Sequence, residues 1–311
     1  MYPPIHPFEQ AWLPVGDGHE VYFEQSGNPR GVPVVFLHGG PGSRSRPHHR
    51  QYFDPSFFRI VLLDQRGCGH SRPSGAIAHN STTHLLHDLE LLRLRLGIEA
   101  WLVFGGSWGS TLALAYSIAH PQCVTGLILR GVFLASRAEV DWFLVGLQAF
   151  IPEAWNKFTG GNPHGILGRY LRELDHNGAT PISAARRWSD YESASMAMSE
   201  DSPSSVAPAH DDAETLARVR VQTHYLANDC FLAPDELISG LGKIAHLPAE
   251  IVQGRLDMIC PPATARRVSA GLPRSRLNIV GGAGHSATHP LLAGQLVAAS
   301  NRFRALLGGS A

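Results

Sequence analysis

Short apolar runs alternate with helix-forming stretches along most of the chain, and this alternation predicts strands and helices in turn. Residues 11–26 alternate between apolar and polar side chains around Gly16-Asp17-Gly18, which predicts an N-terminal hairpin. Helices are predicted around Thr83–Leu96 and over Ser110–Ala119. Strands are predicted at Pro33–Leu37, Arg59–Asp64, Trp101–Phe104, Val124–Leu129, Ala249–Gln253 and Arg276–Val280, and the apolar runs at Arg59 and Trp101 are typical of buried strands. This order favours an α/β fold with a doubly wound, mostly parallel sheet.

The pattern changes after residue 134, where aromatic residues recur at helical spacing among polar ones. Prolines and glycines divide this segment into short helices, and the polar stretch 199–212 is predicted to be a loop. Because the strand pattern resumes at Ala249, we expect residues 135–244 to form an inserted helical cap. Residues 1–134 and 245–311 would then form the α/β domain, and a separate binding domain is the less favoured alternative.

A glycine-rich turn joins the strand at Trp101 to the helix that follows it. The sequence Gly105-Gly106-Ser107-Trp108-Gly109 matches the G-x-S-x-G pattern, which alone is weak because many glycine turns match it. Between a strand and a helix, the pattern is typical of a nucleophile elbow, in which a sharp turn raises the serine above the sheet. Ser107 is therefore the candidate nucleophile.

Two titratable residues follow later strands and complete a candidate triad. Asp257 comes after the strand at Ala249, and His285 comes after the strand at Arg276. Each alone could be an ordinary turn or loop residue, but the order serine, aspartate, histidine is the one that α/β-hydrolases use. His285 would serve as the general base, and Asp257 would orient its imidazole ring. Active sites of open α/β sheets lie at the carboxyl ends of the strands, where all three residues are predicted.

A second glycine-rich loop, His38-Gly39-Gly40-Pro41-Gly42, also follows a predicted strand. Backbone N–H groups in such a loop can face a reacting oxygen, although a plain turn or a phosphate loop would have a similar composition. The Lys-Ser/Thr pair of a phosphate-binding Walker loop is not present here. We expect the N–H groups of Gly40 and Trp108 to form the oxyanion hole.

Composition and charge exclude several other classes of protein. Lys plus Arg and Asp plus Glu each total 26 in the 311 residues, so nothing indicates a nucleic acid or an anionic membrane as a partner. We expect no signal peptide at MYPPIHPFEQAW and no membrane-spanning segment. The 17 histidines are scattered, so we expect no metal. Four cysteines without a C-x-x-C pair indicate reduced thiols in a cytoplasmic protein.

Several motifs together resemble one family. These are HGGPG at 38–42, DQRGCGHS at 64–71, GGSWGS at 105–110, LRGVF at 129–133, GRLD at 254–257 and GAGHS at 282–286. Over nearly the whole chain the sequence resembles the proline iminopeptidases, which have the α/β-hydrolase fold. The resemblance implies a serine exopeptidase that removes N-terminal proline from a small peptide or amide, without a metal or cofactor. The oligomeric state is not indicated.

The resemblance also implies a substrate site, with two departures from the family pattern. Residues 188–192 look like the family's W-x-x-W-E segment, so Glu192 is the expected ammonium anchor, with Tyr191 in place of tryptophan. The family's second carboxylate is replaced by Gln222, which accepts hydrogen bonds but brings no charge. The other pocket residues implied by the resemblance are Arg130, Phe133 and Cys260.

Two other functions remain open. The substitution at Gln222 leaves room for a hydrolase of the same mechanism whose small ester or amide substrate lacks a cationic end. A catalytically idle relative that binds a small ligand is the third possibility, which the complete triad disfavours. Epoxide hydrolases and dehalogenases are disfavoured because they place aspartate at the elbow, where this chain has Ser107.

Overall fold

The eight strands within the described residues form one sheet. The computed structural model describes residues 1–175, 179–198 and 211–308. The strand order is β1-β2-β4-β3-β5-β6-β7-β8. The β1–β2 and β2–β4 pairs are antiparallel, and the other pairs are parallel. The strands are β1 (Glu9–Gly16), β2 (His19–Gly27), β3 (Val32–Leu37), β4 (Phe58–Leu63), β5 (Trp101–Gly106), β6 (Val124–Arg130), β7 (Ala249–Gly254) and β8 (Ser275–Val280).

Helices cover both faces of the sheet, so the central strands β5 and β7 are buried along their whole length, whereas β8 at the edge is mostly half-buried. One apolar cluster packs residues of the second and first helices, such as Leu112 and Leu89, against the sheet. The opposite cluster packs the last helix, through Leu296 and Phe303, with Tyr52 and Phe104. The helices of the described residues outside the β6–β7 connection are α1 (Thr82–Arg95), α2 (Trp108–Ala119), α9 (Pro262–Gly271) and α10 (Pro290–Gly308).

A helical insertion separates β6 from β7. Its described helices are α3 (Arg137–Leu144), α4 (Pro152–Thr159), α5 (Ile166–Asp175), α6 (Ala179–Ala197), α7 (Asp212–Ala227) and α8 (Glu236–Gly240). Helices α6 and α7 pack against each other. Short 3₁₀ turns occur at Pro47–Tyr52, Pro121–Cys123, Gly146–Ala149, Asp229–Phe231 and Leu241–Ile244.

The predicted elements agree with the structure to within a few residues at each end. The hairpin, the parallel strands and the helix before the elbow all form, and α2 begins at Trp108 rather than Ser110. Of the predicted loop 199–212, residues 199–210 lie outside the described residues. The prediction is wrong at its end, because the Asp211 side chain accepts hydrogen bonds from Ala213 and Glu214 N–H and α7 begins at Asp212. Such an N-terminal cap satisfies N–H groups that have no partner within the helix.

Candidate active site

Ser107 lies on a sharp turn between β5 and α2. Its backbone angles are φ 57° and ψ −127°, which are unfavourable for a residue with a side chain. The turn needs glycine on both sides, since a Cβ on Gly105 would lie 2.0 Å from the Gly109 carbonyl oxygen. A Cβ on Gly109 would lie 2.1 Å from the oxygen of Leu37. The close crossing of strand and helix therefore places the Ser107 hydroxyl at the carboxyl edge of the sheet.

A continuous chain of hydrogen-bonding atoms runs from Ser107 to Asp257. His285 Nε2 lies 3.1 Å from Ser107 Oγ, and its Nδ1 lies 2.8 Å from Asp257 Oδ2. Both His285 and Asp257 are buried. The structure thus brings together the three residues that the sequence predicts as a triad. Two other aspartates that precede Asp257 in the sequence, Asp229 and Asp235, are exposed, and Asp235 Oδ1 lies 3.4 Å from the Arg267 guanidinium.

Asp257 is held by donors on both carboxylate oxygens. Its Oδ1 accepts hydrogen bonds from the backbone N–H groups of Ile259 (3.1 Å) and Cys260 (2.8 Å). Its Oδ2 accepts one from Gln253 Nε2 at 3.0 Å. The same Gln253 amide donates to the Cys260 carbonyl and accepts from Val132 N–H, so its orientation is fixed. The sequence analysis missed Gln253; its place at the end of a strand before the predicted acid was the only signal.

Gln65 connects the two sides of the predicted oxyanion hole. Its side chain donates to the His38 carbonyl at 2.9 Å and accepts from Trp108 Nε1 at 2.8 Å. The Gln65 N–H donates to His38 Nε2, so the proton of that imidazole is on Nδ1, which donates to the Gly39 carbonyl. Burial lowers the pKa of His38 and favours this neutral form. Gln65 lies in the DQRGCGHS motif, one of those that carry the family resemblance, but the sequence does not show its contact with Trp108.

Gly40 and Trp108, the expected oxyanion-hole residues, lie in the loop after β3 and at the start of α2. Gly40 has φ 118°, a conformation that favours glycine, and it lines the same cavity as Ser107. Trp108 is the first residue of α2, where N–H groups have no partner within the helix. The positive end of the helix dipole is also directed toward this point. The arrangement can therefore stabilise a developing negative charge near Ser107.

Arg130 and Cys260 lie immediately beside the triad. Arg130 Nη1 donates to the His285 carbonyl at 2.9 Å and lies 3.2 Å from His285 Nε2. The Cys260 thiol is buried and close to the Ser107 hydroxyl, and burial raises its pKa. Phe133 lines the cavity and is fixed through its backbone, since its N–H donates to Ser110 Oγ at 3.1 Å. All three residues are thus brought to the site as the family resemblance implies.

A cavity of about 750 Å³ opens over Ser107 beneath the inserted helices. Part of its charged lining is paired, because Arg44 lies 2.9 Å and Arg46 3.6 Å from the same carboxylate of Glu214. His49, which also lines the cavity, has a pKa held well below its ordinary value by burial and by the neighbouring His48 and other cationic side chains. A molecule that enters this space therefore meets paired charges at Glu214 and a neutral imidazole at His49.

Glu192 and Gln222 lie together at the part of the cavity formed by α6 and α7. Gln222 Nε2 donates to Glu192 Oε1 at 2.6 Å, and the Arg218 guanidinium donates to Glu192 Oε2. Arg218 also lies 3.4 Å from Gln222 Oε1. The sequence analysis predicted Glu192 and Gln222 at the substrate site but missed Arg218. Its spacing of four residues from Gln222 on one helix was the available signal.

Tyr191 is not brought to the cavity, although the sequence analysis expected it among the substrate-binding residues. It is buried between helices, where its ring stacks on Phe158 with centroids 4.2 Å apart. Its hydroxyl donates to the Phe143 carbonyl at 2.5 Å. Because successive residues of a helix point about 100° apart, Glu192 faces the cavity while Tyr191 packs inside the helical insertion.

Metal-ligating side chains come together at one place in the described parts of the chain. The ligand atoms of Asp17, His79 and His84 lie within 4.8 Å of one another, near the β1–β2 turn and the start of α1. Asp17 is also 3.6 Å from the Arg66 guanidinium. None of the three side chains lines the cavity over Ser107. No helix among the described residues is long and apolar enough to span a membrane.

The fold and this site define the class, and comparison with known proteins agrees with it: the α/β-hydrolase fold family matches residues 32–289. A proline iminopeptidase of Arabidopsis thaliana is 45% identical over 316 residues, covering 99% of this chain and 83% of that protein. A probable proline iminopeptidase of Leptolyngbya boryana is 44% identical over 97% of this chain and 96% of that protein. The chain belongs to the proline iminopeptidase family of α/β-hydrolases.

A solved structure shares the fold at much lower sequence similarity. The proline iminopeptidase of Mycobacterium smegmatis superposes with a TM-score of 0.64 at 19% identity. The match covers 96% of this chain and 98% of that one. At this identity the superposition shows the fold alone.

Proposed function

We propose that this protein is a serine exopeptidase that releases N-terminal proline from peptides through an acyl-enzyme intermediate. The observation that carries the proposal is the chain of contacts from Ser107 through His285 to Asp257, at the base of a cavity that also contains Glu192. Triads are recognised by this geometry and not by sequence position. The names and identities of the relatives support prolyl substrates in particular.

In the first half of the reaction, Ser107 Oγ attacks the carbonyl carbon of the N-terminal residue while His285 Nε2 takes the hydroxyl proton. The N–H groups of Gly40 and Trp108 stabilise the resulting oxyanion. His285 then gives its proton to the departing peptide nitrogen, and the prolyl group remains as an ester on Ser107. Asp257 holds the imidazole in the tautomer that this transfer needs.

In the second half, water replaces the departed peptide. His285 takes a proton from the water as it attacks the ester carbonyl, and the proton returns to Ser107 Oγ as the bond breaks. Free proline leaves and the triad is restored to its starting protonation state. The balance of atoms requires only water, so no cofactor enters the reaction.

The substrate's proline fits the groups around the cavity. Phe133 and Cys260 offer apolar surface beside Ser107, and Glu192 offers a carboxylate for the imino nitrogen. Arg130, which lies against His285, positions that ring by its hydrogen bond to the backbone carbonyl. A cavity that binds the amino end of the substrate in this way favours cleavage after the first residue only.

The chain is divided into a cap and a catalytic domain. Residues 135–244 act as the cap, and residues 1–134 and 245–311 as the catalytic domain that carries Ser107, Asp257 and His285. The four cysteines are unpaired and buried, which supports a reducing, cytoplasmic location.

A panel of matched anilides tests the proposal. We expect the purified protein to hydrolyse prolyl anilide with a kcat/KM at least about tenfold above that for alanyl anilide, because the alanyl group leaves part of the apolar surface unfilled. N-acetylprolyl anilide should be a poor substrate, since its acyl group occupies the space beside Glu192. Faster hydrolysis of the N-acetyl compound than of prolyl anilide would contradict the proposal.

A second candidate is a hydrolase of the same mechanism that acts on a small ester or amide without a cationic end. One observation favours it: the Glu192 carboxylate already has an Arg218 counter-ion. The same panel separates the two functions, because this second enzyme would cleave a neutral ester of a cyclic acid and leave prolyl anilide nearly untouched.

A further inference from the structure

We propose that Arg218 is a specificity-determining residue, an internal counter-ion that occupies the ammonium anchor and weakens the binding of cationic amino termini. The proposal rests on the proposed function, because it concerns the same cavity. It assigns a role to a residue outside the triad and the expected anchor. The consequence is a site that discriminates less strongly between a charged prolyl end and a neutral ring of the same shape.

Both carboxylate oxygens of Glu192 already accept hydrogen bonds. One carboxylate oxygen accepts from Gln222 Nε2 at 2.6 Å, and the other accepts from the Arg218 guanidinium. The ion pair is only partly exposed, with side-chain accessibilities of 19% for Glu192 and 23% for Arg218. Glu192 and Arg218 together have a net charge of zero. Because partly buried charges are weakly screened, the positive charge of Arg218 cancels much of the attraction between Glu192 and an incoming ammonium.

The orientation of the Gln222 amide is set by a buried neighbour. Its Oε1 accepts from Trp188 Nε1 at 3.0 Å, and an indole N–H can only donate. The amide NH₂ is therefore directed toward Glu192, and the amide oxygen is already engaged by the buried indole. Gln222 thus supplies a donor to the anchor and does not replace a second carboxylate as an acceptor for the substrate.

Helix α7, which carries Arg218, is held by contacts that do not involve the Arg218 side chain. A Cβ on Gly42 would lie 2.3 Å from the Arg218 carbonyl oxygen, so the helix backbone contacts the glycine-rich loop directly. One turn beyond Gln222, the Tyr225 hydroxyl donates to Asn80 Oδ1 at 2.8 Å, and its ring packs on Trp108. These contacts involve the backbone and other side chains, so the Arg218 side chain can be changed without removing them.

Moving the guanidinium aside would break its ion pair with Glu192. The neighbouring acid on the same helix, Glu214, is already within ion-pair distance of Arg44 and Arg46. If Arg218 left Glu192 to admit a substrate cation, it would lose one carboxylate partner and would have to compete for the other. This cost opposes binding of an ammonium and does not arise for a neutral ring.

Two small ligands that differ by one atom test the proposal. Prolinamide carries a ring nitrogen that is protonated, and tetrahydrofuran-2-carboxamide has a ring oxygen in the same position. Their dissociation constants are measured by calorimetry on proteins that carry Ser107→Ala, so that neither ligand is turned over. With Arg218→Met we expect prolinamide to bind about tenfold more tightly, as the charge on Glu192 becomes free. Binding of the tetrahydrofuran amide should change less than about twofold.

Control variants distinguish the effect of a positive charge beside Glu192 from that of a positive charge elsewhere on α7. Arg218→Lys keeps a cation beside Glu192 and should retain the weak binding of prolinamide. Arg220→Met removes a charge from the same helix at a residue that does not line the cavity, and should leave both constants unchanged. Gln222→Glu is an independent variant that adds a second carboxylate, and we expect it to tighten prolinamide selectively too.

The outcomes distinguish this proposal from the proposed function. If the wild-type chain hydrolyses prolyl anilide but a folded Arg218→Met protein binds prolinamide no more tightly, the role of Arg218 is wrong and the peptidase assignment stands. If prolyl anilide is not hydrolysed although a fluorophosphonate labels Ser107, the peptidase assignment itself fails. In that case a selective gain in prolinamide binding in Arg218→Met would still support the counter-ion, and equal gains for both ligands would overturn it.

Discussion

The variant Ser107→Ala is expected to lose nearly all hydrolysis of prolyl anilide, with a fall in kcat of about 10⁶-fold. Its methyl group cannot attack the carbonyl, and the hydroxyl that His285 Nε2 contacts at 3.1 Å is gone. The fold should be unaffected, because the turn is held by Gly105, Gly109 and the backbone hydrogen bond from Ser107 N–H to the Arg130 carbonyl. Residual activity would come from the oxyanion hole and substrate binding alone.

A serine elsewhere on α2 provides the matched control. Ser117 donates to the Ala113 carbonyl inside the helix and does not line the cavity, so Ser117→Ala should retain activity within a factor of a few. Circular dichroism and thermal unfolding of both variants check that the fold is intact. Substantial hydrolysis by a folded Ser107→Ala protein would show that another group is the nucleophile.

The variant Asp257→Asn should lower kcat by about 10⁴-fold, as it does in other serine triads, and the donors around Asp257 give the reason. The new NH₂ group can replace either carboxylate oxygen of Asp257, and each of these oxygens now accepts from two donors. The backbone N–H groups of Ile259 and Cys260 cannot change, whereas the imidazole of His285 can move its proton. The NH₂ group therefore faces His285 Nδ1 and shifts the proton to Nε2, where it blocks acceptance of the Ser107 proton.

The comparison with Asp235→Asn isolates this effect. Asp235 is exposed and lies near Arg267, so its replacement should leave kcat unchanged. Steady-state measurement of kcat and KM on both variants is sufficient, because a loss of orientation acts on kcat. Near-full turnover by Asp257→Asn would remove Asp257 from the proposed triad.

The parts of the site that follow local rules were predictable from the sequence. Ser107 lies in a tight turn whose glycines are required by the crossing of β5 and α2. The sequence therefore shows the turn as the five-residue pattern G-x-S-x-G. Asp257 and His285 each follow an apolar run that forms a strand, and parallel strands bring their carboxyl ends to one edge. The sheet and its flanking helices follow from the same alternation.

The parts that depend on contacts between distant segments could not be predicted. Arg218 meets Glu192 only because α6 and α7 pack together, and Gln65, in the loop after β4, meets Trp108 only because the start of α2 lies beside that loop. Tyr191 shows the opposite error, because a family motif places it beside Glu192 in sequence while the helix directs it into the packed insertion. Side-chain direction and partner choice are set by tertiary packing, which a linear motif does not record.

Trapping of the covalent intermediate tests the central claim most directly. The wild-type protein is mixed with an activated prolyl ester, quenched in acid within the first turnover, and its intact mass is measured and its peptides mapped. We expect a fraction of the protein to gain the mass of one prolyl group on the peptide that contains Ser107, and Ser107→Ala to gain none. A prolyl adduct on another residue, or rapid proline release in which Ser107→Ala performs as well as the wild type, would contradict the proposal that Ser107 is the nucleophile of a prolyl exopeptidase.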